Sequence, residues 1–129
     1  MTGPHDPLDP SRCDVRSALF GGVGSVRVWD LGGRVGALSA VLHCELDPSG
    51  RVGKHVQSHD DEVVIVLAGE AVIYVSGKAH ACVAGSAVPL AIGQTLEIDN
   101  ASTEVPLRYL IVKARAGAPA QRPPDQRST

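Results

Sequence analysis

The chain has 129 residues, 43% of them apolar and 20% charged, with a formal net charge of -2. That suits one domain with one core, and neither a basic field nor an aromatic content of 3% supports a nucleic-acid surface. No apolar run approaches the ~18 residues of a membrane span, and the start Met1-Thr2-Gly3-Pro4-His5-Asp6 lacks the basic and apolar stretch of a secretion signal, so the expected location is cytoplasmic.

Proline marks both ends: six of the nine prolines fall in the first ten or last twelve residues. Residues 1–14 and 116–129 also carry Asp, Arg, Ser and Gln with little to anchor them, and read as flexible tails around a folded domain at 15–115. Inside it, a weak helical signal lies at Arg16–Phe20. Strand signals follow at Ser25–Trp29 and at Ala37–Glu45, which ends at the turn Asp47-Pro48-Ser49-Gly50. Val63–Leu67 is a β-branched run closed by Gly69. Ala71–Val75, Lys78–Val83, Ala87–Leu90, Thr95–Asp99 and Leu107–Ala114 complete the set, with Ser76-Gly77, Gly85 and Gly93 between them. Short strands at this cadence, with turn chemistry between them, predict an antiparallel all-β sandwich or barrel. Cys13, Cys44 and Cys82 are odd in number and widely spaced, which predicts free thiols rather than a disulfide framework or a CxxC motif.

Two stretches resemble the paired signature motifs of the cupin superfamily. The first runs from a glycine through His-x-His to Glu and a closing Gly. Gly69 closes it, Glu62 stands at the family spacing before it, and the two histidine positions fall on His55 and Gln57. Gly50 or Gly53 can supply the opening turn, and neither stands at the family's standard distance. The second motif places Gly85, Gly93 and Asn100 in register, with Ala91 at its proline position and Leu96 at its histidine position. The resemblance spans roughly 37–113 and implies a jelly-roll barrel, a double-stranded β-helix. In the family, three histidines and the glutamate hold one divalent transition metal inside the barrel. Two residues apart on a strand share a face, so His-x-His presents both imidazoles inward.

Here two of the four ligand positions are changed. Leu96 coordinates nothing, and Gln57 offers a neutral amide, a weak ligand for a borderline metal. The expected site is therefore a ligand pocket of His55, Gln57, Glu62 and Leu96 with no metal favoured. If a metal binds, its ligands are His55, Gln57 and Glu62. His59 does not repair the set: on one strand it would stand about 13 Å from His55, and it reads as part of the turn before Glu62. His43 reads as a surface or core histidine, His80 as exposed, Trp29 and Tyr109 as core or sheet-surface aromatics, and Arg108 as an exposed strand residue.

Small-molecule binding is the expected function. The alternatives are a metal-dependent cupin enzyme, dioxygenase or isomerase, with a substituted ligand set, or a metal-free acid/base isomerase using His55 and Glu62. The run Val63–Leu67 is apolar on both faces, so one face needs cover, which predicts a homodimer. A monomeric mass by light scattering at micromolar concentration would contradict that.

Overall fold

The computed structural model describes residues 6–115. Within them the chain forms ten strands: β1 (Asp14–Ser17), β2 (Ser25–Asp30), β3 (Leu38–Leu46), β4 (Arg51–Val56), β5 (Asp60–Ala68), β6 (Glu70–Val75), β7 (Lys78–Val83), β8 (Ala87–Leu90), β9 (Thr95–Asn100) and β10 (Leu107–Arg115). The strands assemble into two antiparallel sheets, one in the order β1-β2-β3-β10-β5-β8 and the other in the order β4-β9-β6-β7. The architecture is the expected all-β jelly-roll.

Alternation along each strand explains which residues meet between the sheets. On β5, Glu62, Val64 and Val66 are buried inward, while Val63 and Ile65 are half-buried on the outer face. On β10, Leu107 and Tyr109 are buried inward, with half-buried Ile111 and Lys113 further along the same face. The six-stranded sheet gives Val26, Cys44, Leu46, Val64, Val66 and Tyr109 to the core. The four-stranded sheet gives Val52, Ala71, Ile73, Leu96 and Ile98. Leu46, Val66, Leu107 and Ala71 close one end of the barrel. At the other end β3, β5, β10 and β9 carry Leu42, Glu62, Lys113 and Leu96, and there the interior opens into a cavity.

Asn100, buried at the closed end, pins a corner. Its amide nitrogen donates to the carbonyls of Asp47 (3.0 Å) and Val105 (2.9 Å), and its Oδ1 accepts from the Ser102 amide (2.9 Å). Gly69, the turn between β5 and β6, has φ +93°, and a Cβ there would lie 3.1 Å from the Pro106 carbonyl oxygen.

Three local expectations differ from the structure. The helical signal at Arg16–Phe20 is instead the end of β1 followed by a 3-10 turn, Leu19–Gly21, with Ala18 and Phe20 at positive φ. β1 and β4 carry no clear alternation in sequence, because β1 has a single apolar residue, Val15, and Gly53 and Lys54 interrupt β4, yet both are strands. Their ladders to β2 and β9 override weak local propensity. The described part of the 1–14 segment contains a 3-10 turn, Pro10–Arg12, and its Asp9 carbonyl accepts from Trp29 Nε1 at 2.9 Å. Residues 116–129 lie outside the described residues.

Candidate functional site

The cavity at the open end has a volume of about 270 Å³. A cavity of that size suits a small metabolite rather than a chain segment. Val26, Val28, Leu42, Val52, Leu96 and Ile98 give it an aliphatic side, and His55, Gln57, Ser58, Glu62 and Lys113 a polar one, with Arg16, His59 and Asp60 also lining it. The four residues expected to converge, His55, Gln57, Glu62 and Leu96, all line it.

β4 delivers His55 past an irregularity in its pairing with β9 between Val52 and His55, and His55 then stands directly opposite Leu96. His55 Nδ1 lies 3.0 Å from the Gly53 carbonyl oxygen. A carbonyl only accepts, so the ring donates from Nδ1 and turns Nε2 to the cavity. One face of the imidazole is covered by Phe20, stacked with ring centroids 3.9 Å apart at 13°. This stack depends on glycine. A Cβ on Gly53 would lie 1.9 Å from the Phe20 carbonyl oxygen, and one on Gly22 1.9 Å from that of Arg51. Only bare backbone lets the Leu19–Gly21 turn lie on β4 this closely.

Glu62 enters from β5. Its Oε1 accepts from Gln57 Nε2, its Oε2 is buried without a hydrogen-bond partner, and Lys113 Nζ stands 3.9 Å from Oε1. Lys113 is the cross-strand neighbour of Glu62 in the β5–β10 ladder. Burial raises the carboxyl pKa above its ordinary value, while the Gln57 bond and the positive charges of Lys113 and His55 act against that rise. Deeper in, Cys44 and Tyr109 face each other across β3 and β10. Burial pushes the Cys44 thiol up to about 12, against the opposing Tyr109 hydrogen bond, and raises the Tyr109 phenol well above its usual range. Both are neutral at physiological pH, which makes the thiol a poor nucleophile.

A divalent metal is what the family resemblance implies here, and the donor set does not fit one. Leu96 has no lone pair. Gln57 turns its amide nitrogen, a donor, toward Glu62. The Lys113 ammonium adds positive charge beside the carboxylate that would be a ligand. What remains is His55 Nε2 and Glu62 Oε2, and among the described residues no group of three or more His, Cys, Asp or Glu comes together to hold an ion.

The remaining candidates fall elsewhere. His43 is buried on the outer face of the six-stranded sheet, edge-on to Trp29 at 5.6 Å, and its Nε2 has no partner. Burial, then the charge of Arg108, lowers its pKa. Arg108 is half-buried rather than exposed and pairs with Glu45 at 2.7 Å. His80 lies half-buried on β7, away from the cavity, and His59 is exposed at its rim. Cys13, Cys44 and Cys82 are free. Sequence reasoning missed Phe20, Arg16 and Lys113. For Lys113 the signal was present, since the alternation Tyr109, Ile111, Lys113 puts it on the face of a buried aromatic.

Comparison with known proteins agrees with this geometry. Residues 42–113 match a family model described as the cupin domain. The fold resembles a predicted oxalate decarboxylase from Thermotoga maritima, 24% identical, with a TM-score of 0.73 over 81% of this chain and 92% of that one. It also resembles a cupin 2 conserved barrel domain protein from Salinispora arenicola, 18% identical, with a TM-score of 0.69 over 90% and 92%. The cupin domain of Cnp3 from Schizosaccharomyces pombe is 11% identical, with a TM-score of 0.67 over 84% and 72%. No curated protein matches the sequence.

Proposed function

Since the chain belongs to the cupin family, we propose that it is a small-molecule-binding barrel that works without a resident metal. The observation that carries this reading is Glu62. A carboxylate lining a cavity of about 270 Å³, with one oxygen buried and unpartnered, is a binding group in want of a ligand. The aliphatic walls supply burial for the body of that ligand, and His55 Nε2 supplies a second polar contact. At 24% identity the Thermotoga neighbour shares the fold alone.

A thermal-shift screen of the full chain against a metabolite panel tests this. At least one compound should raise the wild-type Tm by more than about 5 °C at a hundredfold excess over its Kd. The shift should persist with chelator present and vanish in Ile111→Trp, which fills the cavity from its wall. A panel with no hit on the wild type, or hits unchanged in Ile111→Trp, overturns the reading. The cytoplasmic location and the homodimer belong to the same proposal. For the dimer, the support is a half-buried apolar strip on the outer face, where Leu110 and Val112 pair with Ile65 and Val63.

A further inference from the structure

Two features of the cavity wall make complementary demands. Glu62 has committed Oε1 to Gln57, while Oε2 is buried without a partner. Lys113, on the adjacent strand, reaches Glu62 Oε1 only at 3.9 Å, beyond hydrogen-bond distance, and its side chain keeps 35% of its exposure. The ammonium therefore compensates the glutamate's charge, as a metal ion would in a barrel with a full ligand set, and still has hydrogens to donate. Arg16 stands at the same opening, bonded to Asp14 at 2.8 Å.

A ligand carboxylate meets both demands at once. One of its oxygens accepts from the Lys113 ammonium. The other shares a proton with Glu62 Oε2, so the pair of carboxyl groups carries one negative charge, balanced by Lys113. A neutral alcohol can satisfy Oε2 but gains little from the cation. An ammonium ligand can satisfy Oε2 but is repelled by Lys113. Val28, Leu42, Leu96 and Ile98 give the cavity one aliphatic side, and that side sets the tail of the ligand.

We propose that the pocket takes a compact apolar monocarboxylic acid, its acid group held between Lys113 and Glu62 Oε2 and its tail lying against Val28, Leu42, Leu96 and Ile98. The proposal rests on the small-molecule reading above and names the ligand class for that same cavity. Lys113 is the residue that sets charge preference, and His55, held by Phe20 and the Gly53 carbonyl, borders the tail.

Three probes with one tail and different head groups test it: octanoate, octanol and octylammonium, titrated calorimetrically into the full chain. Octanoate should bind about tenfold or more tighter than either of the others, the worth of one charge-assisted hydrogen bond. In Lys113→Met, octanoate should weaken about tenfold, octanol should stay within about twofold, and octylammonium should gain, because Glu62 is left uncompensated. Lys113→Arg should keep the wild-type order. If Lys113→Met does not fold, Lys113→Gln replaces it with the same expectation. If none of the three binds the wild type while the metabolite panel gives a hit that Ile111→Trp removes, the cavity reading stands and the acid class is overturned; if the panel also gives none, both fall. If octanol binds as tightly as octanoate, the cavity reading stands and the acid preference is overturned. If the preference for octanoate survives in the folded methionine variant, Lys113 does not set it and the proposal is overturned.

Discussion

Two glutamates on the same sheet are buried to nearly the same degree and are treated in opposite ways. Glu45 points outward from β3. Its Oε1 takes Arg27 at 2.6 Å and its Oε2 takes Arg108 at 2.7 Å. Glu62 points inward from β5, with a neutral amide on one oxygen, nothing on the other and an ammonium at 3.9 Å. Burying a charge is costly unless it is paired and hydrogen-bonded. Glu45 meets that condition entirely from within the fold, so its chemistry is used up in tying β2, β3 and β10 together. Glu62 meets it incompletely. An under-satisfied carboxyl in a cavity wall marks where the fold has left capacity for something else.

The comparison is sharpened most by completing the inner site. His55 faces Leu96 across the β4–β9 ladder, where opposed Cβ atoms stand about 5 Å apart. Gln57→His with Leu96→His would therefore add two imidazoles to His55 and Glu62 and give Glu62 an ion to ligate. Affinity for zinc or nickel should rise by more than about a hundredfold over the wild type, since loss of even outer-shell partners costs 10–100-fold. Competition against a coloured chelator reads this directly, and an unchanged affinity would mean that these side chains do not converge. The outer site is broken by Glu45→Gln, which leaves two arginines facing a neutral amide. Loss of one partner from a fully buried pair costs roughly 3–5 kcal/mol. With the Arg27 and Arg108 side chains 37% and 42% exposed, water takes up part of that, and urea unfolding should show a loss of about 2 kcal/mol. A loss below a few tenths would place Glu45 among ordinary surface pairs.

The inner glutamate was legible in the sequence and the outer one was not, for a physical reason. Glu62 sits at a fixed distance before Gly69, whose positive φ makes the spacing a consequence of the turn. Spacing between local landmarks survives in one dimension. Glu45 is significant only because β2 and β10 flank β3 and bring Arg27 and Arg108 to it from 18 and 63 residues away along the chain. Sequence alternation predicts faces but not which strands are neighbours. The same limit hid Lys113, whose role depends on lying beside Glu62, and Phe20, whose stacking on His55 depends on two glycines crossing. β4 was hidden by Gly53, the residue whose missing side chain permits that crossing. Where local pattern and tertiary need conflicted, the conflict fell at the cavity.

The smallest expected effect is the pH dependence that Glu62 gives to stability. Burial raises the folded-state pKa of Glu62 above its ordinary value of 4.5. Below the unfolded value both states hold the proton and Glu62 costs nothing. As pH climbs through that value, the unfolded chain releases its proton first while the folded protein keeps it, so stability falls until the raised folded pKa is passed. Glu62→Gln keeps the hydrogen-bonding shape and removes the titration. The variant should therefore match the wild type near pH 4 and exceed it by about 1 kcal/mol near pH 8, measured from urea midpoints. His43 tilts the wild-type curve the other way. Its lowered pKa makes the folded state resist protonation, so stability is lost as pH drops below 6.5. Because both proteins carry His43, its contribution cancels in the difference, and the Glu62 slope stands alone. A difference that is flat with pH, or one that grows toward acid, would mean that Glu62 is as well compensated inside the barrel as Glu45 is outside it, and the contrast between the two sites would collapse.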